Sequence, residues 1–211
     1  MARILVLAGV NGAGKSSLLG MMLAHDGATW FNPDAFTRQL VERDWPLAEA
    51  NAAAWQEGTR RLREAMQSNR DYAFETTLGA NTIPKLLHEA CKQHEVSIWF
   101  CGLESIELHL QRVAERVAAG GHDIPEDKIR QRYDSSRLNL IELLPQLTTL
   151  HVYDNSRPPD HDGLVEPLLV LEMDKGRILC PVSQEEFAQV PEWAKPVVWA
   201  ALKAFPAANG H

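Results

Sequence analysis

Short unbroken apolar runs alternate with stretches of helical periodicity through the first three quarters of the chain. The run RILVLA, Arg3 to Ala8, has no polar interruption after its first residue, which is the pattern of a strand covered on both faces. ATWFN (28–32) predicts a second, short strand, and DYAFETTL a third near Tyr72 to Glu75. EVSIWFCGL predicts a fourth and LTTLHVYDNS (147–156) a fifth. Between them lie SLLGMMLAHDG, a helix closed by Gly27, then PDAFTRQLVERDW and an alanine-rich helix from Ala48 to Gln67. IPKLLHEACKQH and Glu104 to Ala119 follow, the latter stopped by Gly120-Gly121, and a last helix runs from near Pro125 to near Pro145. Strand and helix thus alternate at crossover spacing, which predicts an α/β three-layer sandwich on a central parallel five-stranded sheet.

The rest of the chain has a different texture. Residues 157–167 are polar and proline-rich, LLVLEMDKGRIL reads as a hairpin turning at Asp174-Lys175-Gly176, and the tail to His211 suggests a short helical segment with a frayed end. The organisation expected is one domain over 1–156 and a C-terminal extension, 157–211, packed on it.

Composition narrows the class. The 211 residues carry a net charge of −7, which disfavours a dedicated nucleic-acid binder because nothing in bulk neutralises a phosphate backbone. No apolar run approaches the length of a membrane span. Three scattered cysteines, Cys91, Cys101 and Cys180, make neither a disulfide scaffold nor a zinc ribbon. A cytoplasmic protein with no nucleic-acid or membrane partner is the expectation.

Gly9-Val10-Asn11-Gly12-Ala13-Gly14-Lys15-Ser16 matches G-x-x-x-x-G-K-[ST] at every required position, with a buried strand before it and a helix after it. Glycines let successive N–H groups curl into an anion nest, and the helix N-terminus adds positive potential. Asn11, Gly12, Ala13, Gly14, Lys15, Ser16 and Ser17 are the expected contacts to ATP, with Lys15 on the β- and γ-phosphates and the Ser16 hydroxyl on Mg²⁺.

The loop alone does not separate a kinase from a hydrolase, and the other strand ends lower the hydrolase reading without removing it. No N-K-x-D element for reading guanine is present, and the fourth strand lacks a terminal acid. Asp154, at the end of the fifth, is either a water-mediated magnesium ligand or a turn residue in Asp-Asn-Ser. A small-molecule kinase needs a carboxylate facing the phosphate loop and a basic cover that excludes water. Asp34, after the second strand, is the candidate base, unless it caps the helix that begins there; Asn32 is a candidate for positioning substrate. Glu75 and Thr76, with Thr77, end the third strand at the sheet edge where open α/β folds bind ligands, and Glu75 can hold acceptor hydroxyls or magnesium waters.

RVAERVAAGGHDIPEDKIRQRY supplies the cover, a lid over about 104–137. Arg112 and Arg116 share a helix face, Arg130, Arg132 and Arg137 follow the Gly-Gly-His-Asp-Ile-Pro turn, and His122 in that turn is a structural residue or a phosphate contact. Arg116 and Arg132 are the first candidates for stabilising transferred charge and Arg130 the next, the alternative being a solvated face balanced by Glu115, Glu126 and Asp127.

GVNGAGKSS, FNPDAF, FETTL, the arginine-rich segment and VYDNS together resemble the zeta-toxin-like P-loop kinases over residues 1 to 156. Within them the chain looks like the bacterial branch often labelled predicted ABC-type ATPase, although nothing of an ABC protein beyond the loop is present. The resemblance implies ATP- and Mg²⁺-dependent phosphorylation of a hydroxyl on a small acceptor, the family's being UDP-N-acetylglucosamine. It assigns Lys15 and Ser16 to the phosphate loop and the metal, Asp34 to the general base, Glu75 to the acceptor, and the arginines of 112–132 to the lid in kind. An antitoxin is the protein partner it raises. GGHDIP departs from the best-studied toxins, so acceptor and antitoxin stay open. A nucleoside-triphosphatase switch and a non-catalytic nucleotide-binding module are the competing readings.

Overall fold

The computed structural model describes residues 1–16, 29–121, 123–158 and 166–206. Strand β1 (Arg3–Ala8) lies between β2 (Tyr72–Thr76) and β3 (Glu95–Gly102), parallel to both. Ile4, Val6 and Ala8 enter one core while Leu7 enters a second cluster on the opposite face, so the strand is apolar at consecutive positions because both faces are covered.

Among the described residues the sheet has six strands in the order β2-β1-β3-β4-β5-β6. β4 (Thr149–Asp154) pairs parallel with β3, whereas β5 (Leu168–Asp174) and β6 (Arg177–Cys180) continue the sheet antiparallel. The fold is therefore α/β with a mixed sheet, which corrects the expected parallel five-stranded one in two ways. The ATWFN segment makes only one parallel bridge, Phe31 to Phe74, among its described residues. Asn32 turns at once into a helix cap and Pro33 opens the helix, so no second ladder pair forms. The hairpin at Lys175-Gly176, both with positive φ, zips onto β4 instead of standing apart.

Helices α1 (Pro33–Val41), α2 (Leu47–Ser68), α3 (Thr82–Cys91), α4 (Ile106–Ala118) and α5 (Glu126–Leu143) flank the sheet, with α6 (Gln184–Ala188) and α7 (Lys195–Ala204) in the C-terminal segment. α4 ends in a full Schellman motif: Gly120 takes φ 90°, its N–H reaches Val117 O, and the Gly121 N–H reaches Arg116 O at 2.9 Å. α5 continues past residue 137, and Leu140 and Leu143 join the main core. The arginine-bearing pair is also tied down in front, where Val113 of α4 and Ile129 of α5 pack with Val10 of the phosphate loop.

The C-terminal segment is structural. Trp193 packs so tightly on the end of β3 that a Cβ at Gly102 would stand 2.3 Å from its ring. Its indole N–H donates to Asp154 Oδ1 at 2.8 Å. Val197, Val198 and Ala201 of α7 complete that side of the core.

Candidate active site

The site lies at the carboxyl edge of the parallel strands, where the chain leaves β1 toward β2 on one side and later returns as β3 on the other, the switch point at which open sheets bind ligands. Gly9, Gly12 and Gly14 of the phosphate loop all hold positive φ, at 139°, 83° and 88°, a region L side chains avoid. A Cβ on Gly14 would also meet Asn155 Nδ2 at 2.4 Å, the same nitrogen that donates to Ala13 O at 2.9 Å. Lys15 and Ser16 are already helical. Lys15 Nζ donates to Val10 O at 3.4 Å. Ser17 lies outside the described residues, as do the helix expected after it and His122.

Three side chains that the sequence did not single out grip the loop from behind. They are Asn155; Cys101, whose thiol donates to Ala13 O at 2.9 Å and is pushed up to about 12 by burial; and His109, whose Nδ1 lies 2.8 Å from Asn11 O. A carbonyl only accepts, so His109 Nδ1 carries the proton. Burial drives its pKa down to about 4, with help from Lys15, Arg112 and Arg137 and against the bond to Asn11. The imidazole is neutral and acts as a strut. His109 is four residues before Val113 on one buried helix face, which is the signal that marks it as inward-facing.

The His109 shift has a consequence for stability. Its folded pKa is depressed from 6.5, so between pH 6.5 and 4 the unfolded chain binds the extra proton and stability is lost as pH falls. His109→Gln keeps an N–H donor and removes the titration. Between about pH 8 and about pH 5 the parent should lose about 2 kcal/mol more than the variant in urea melts. Equal losses would show that His109 does not set this window.

Glu75, at the end of β2 and 5% exposed, accepts the Ser16 hydroxyl through both carboxylate oxygens, at 2.9 and 3.1 Å. Asn32 Nδ2 donates to the same carboxylate and lies 3.3 Å from Ser16 Oγ. The other end of the Asn32 amide accepts the Ala35 N–H at 2.9 Å, making Asn32 the N-cap of α1. Capping therefore falls to Asn32 rather than Asp34. Asp34 sits in the first turn of α1, with Arg116 Nη1 3.8 Å from its Oδ2. Thr76 Oγ1 takes the Leu78 N–H at 3.1 Å, so it shapes the turn after β2 while still lining the cavity.

The other arginines divide. Arg132 Nη1 donates to Asn11 Oδ1 at 2.7 Å, joining α5 to the phosphate loop, and burial lowers its pKa. Arg130 is held by Glu126 and faces Glu107 at 3.8 Å, and it is not among the residues that line the cavity. Asp154 Oδ1 accepts from the Trp193 indole and from the Ser156 hydroxyl at 2.6 Å.

The remaining groups open onto one cavity of about 640 Å³. Lys15, Arg112, Arg116, Lys128 and Arg132 line it against the carboxylates Asp34, Glu75 and Asp123. The cavity is thus locally basic in a chain of net charge −7, which suits an anion. For Mg²⁺ the donor set also fits: the Ser16 proton is turned to Glu75 and Asn32 donates to the oxygen, leaving one hydroxyl lone pair for a hard cation that takes its other ligands from phosphates and waters. No cluster of three or more His, Cys, Asp or Glu able to hold a metal on its own occurs among the described residues.

No protein-family model matches the chain. An uncharacterized protein of Haemophilus influenzae is 28% identical over 135 residues, 59% of this chain and 88% of that one. Among solved structures, the AvrRxo1-ORF1:-ORF2 complex with ATP matches with a TM-score of 0.63 at 15% identity, over 92% of this chain. This chain spans 64% of the length of that one. The PezAT chromosomal toxin–antitoxin system of Streptococcus pneumoniae matches with a TM-score of 0.55 at 15% identity, over 94% of this chain and 86% of that one. Fold and loop together define an α/β protein with a phosphate-binding loop, similar in fold to the AvrRxo1-ORF1:-ORF2 and PezAT structures.

Proposed function

We propose that the protein is an ATP-dependent phosphotransferase that moves the γ-phosphate of ATP to a hydroxyl of a small acceptor. The observation that carries this is the placement of Asp34. Its carboxylate is relieved of capping by Asn32, and it lines the same cavity as Lys15 and Ser16. A kinase needs a proton acceptor at its acceptor hydroxyl, and a cavity of about 640 Å³ beside Asp34 has room for an acceptor larger than water.

In the proposed reaction the acceptor O–H bond breaks as its oxygen forms a bond to Pγ, the bond from Pγ to the β-bridging oxygen breaks, and ADP leaves. Asp34 takes the proton. Lys15 and the guanidiniums of Arg116 and Arg132 offset charge on the transferring group. Glu75 and Asn32 hold the Ser16 hydroxyl in place. Mg²⁺, when bound at Ser16, neutralises the phosphate oxygens and orients them. One neighbouring fold was solved with ATP, in keeping with ATP as the donor here.

The acceptor suggested by the sequence resemblance is a nucleotide sugar such as UDP-N-acetylglucosamine. The AvrRxo1-ORF1 structure is a complex with ORF2, and PezAT is a toxin–antitoxin system; a protein partner is part of the proposal on that footing. No helix among the described residues is long and apolar enough to cross a membrane, and a cytoplasmic location is proposed with the rest. The test is incubation with γ-labelled ATP·Mg²⁺ and a bacterial small-molecule extract, followed by mass spectrometry. Labelled acceptor is expected. Inorganic phosphate alone would favour a hydrolytic switch, and binding without turnover a non-catalytic module.

A further inference from the structure

Arg132 is fixed at both ends of its side chain. At the tip, Nη1 donates to Asn11 Oδ1 at 2.7 Å. Asn11 is itself only 6% exposed, and its backbone carbonyl takes the His109 Nδ1 proton. One residue of the phosphate loop thus meets α4 through its main chain and α5 through its side chain. A guanidinium carries several N–H donors in a fixed fork. The bond to Asn11 uses one of them, and Arg132 lines the same cavity as Lys15 and Ser16.

At the stem, the contact is with Gly79, in the turn after β2. Gly79 does not hold a positive φ, so its own conformation does not call for glycine. Arg132 does: a Cβ at Gly79 would stand 2.7 Å from Arg132 Cγ, 3.1 Å from its Cβ and 3.3 Å from its Cα. The turn is clamped to α5 around this contact. Ser135 Oγ lies 2.8 Å from Gly79 O, and Asn139 Nδ2 donates to Leu78 O at 2.7 Å. Leu78 holds φ 57°, a conformation that persists at a non-glycine residue where its surroundings impose it. A side chain added at Gly79 could not be relieved by the turn moving away. The arginine would have to move instead.

We propose that Asn11 and Gly79 are positioning residues that act through Arg132. The Asn11 amide anchors one edge of the guanidinium, and the missing side chain of Gly79 admits the stem. Together they aim the remaining N–H donors at the γ-phosphate of a nucleotide in the loop. The proposal takes from the phosphotransferase reading only that the loop holds a triphosphate. A cation fixed in this way stabilises charge at the γ-phosphate without first having to reorganise. An arginine on a freely moving cover would need neither a buried amide at its tip nor a bare main chain along its stem. Arg130, two residues away, has neither and turns to Glu126 and Glu107.

The experiment is calorimetric titration of the full chain with a non-hydrolysable ATP analogue and with ADP, each with Mg²⁺. The ratio of the two Kd values reads the γ-phosphate contact without phosphoryl transfer. Arg132→Ala should cut the preference for the analogue by about tenfold or more, the scale of a hydrogen bond to a charged group, with ADP binding retained. Gly79→Ala and Asn11→Leu should each reproduce most of that loss. Neither should lower the ratio further when added to Arg132→Ala, because a residue that acts through the arginine then has nothing left to position. Gly79→Ala alters no atom of the phosphate loop, so it decides the matter if Asn11→Leu also weakens ADP. A parent-like ratio in Arg132→Ala would make the arginine a strut and overturn the proposal. A parent-like ratio in Gly79→Ala, or an undiminished loss from it in the Arg132→Ala background, would overturn it equally. Transfer of labelled phosphate is scored separately. Lowered ratios with no labelled acceptor would sink the kinase reading and leave the positioning, and a labelled acceptor with parent-like ratios would do the reverse.

Discussion

Lys15→Ala should lower ATP-dependent turnover by about a thousandfold, the upper range for removing one preorganised charge-stabilising donor. Lys15 is the residue whose charge the loop carries into the nest: it follows three glycines of positive φ, and its ammonium lies 3.4 Å from Val10 O. That bond is long, so the side chain is poised to exchange a carbonyl for phosphate oxygens at little cost. Folding should be untouched, because the loop is held from behind by Asn155, Cys101 and His109 rather than by Lys15. Lys15→Arg should not restore activity, since a planar guanidinium cannot take the place of a compact ammonium inside the nest. Initial rates with labelled ATP, together with melting temperatures, check both halves. Parent-like kinetics in the alanine variant would remove the loop from the mechanism.

Why that residue was legible and others were not follows from sequence distance. The phosphate loop is a local device: eight consecutive residues carry both the backbone conformation and the chemistry. The position of Glu75 beside the loop, where it accepts the Ser16 hydroxyl, follows from the same local reasoning, because the end of a strand in an α/β sheet is where ligands meet the edge. The grip on the loop was hidden because its partners come from far along the chain. Asn155 reaches Ala13 across 142 positions and His109 reaches Asn11 across 98. Asp154 shows the same limit from the other side. A strand-terminal acid suggests a metal, and only the fold shows that Trp193, 39 residues on, donates to its Oδ1.

The misjudged strand count has a local cause. ATWFN has the β-propensity of a strand, yet its last residue is recruited as the cap of α1, and the demand for a satisfied helix N-terminus outweighs one more ladder pair. The hairpin was legible from its turn, but the strand it would join was not, because edge pairing depends on which face of the fold is left open. Among the arginines, spacing put Arg130 beside Arg132 in kind, and the structure separates them. Two residues along a helix point about 200° apart, so Arg132 meets Asn11 while Arg130 turns to Glu126 and Glu107.

Asp34→Asn is the substitution that tests the chemistry itself, and it should reduce kcat for acceptor phosphorylation by about 10² to 10⁴, the range for losing a general base. The exchange is nearly isosteric and leaves the helix start intact, because the capping oxygen belongs to Asn32. Only the small favourable interaction of a first-turn acid with the helix dipole is lost, about 0.5 kcal/mol. ATP binding should be unchanged, since the nest, Lys15 and Ser16 are not altered. The remaining ambiguity is Arg116, which stands 3.8 Å from Asp34. If Asp34 served only to hold that guanidinium, Arg116→Gln would reproduce the Asp34→Asn defect and the double variant would be no worse than either. A base and a charge stabiliser act on different atoms of the transition state, the acceptor proton and the γ-phosphate oxygens. Asp34→Asn should therefore depress kcat with the acceptor KM little changed, and adding Arg116→Gln should cost a further factor. Single-turnover transfer of labelled phosphate in the three variants, with ATP-analogue binding measured alongside, separates these outcomes. Transfer by Asp34→Asn at the parent rate would take the base away from this position and leave the cavity a nucleotide site without its catalyst.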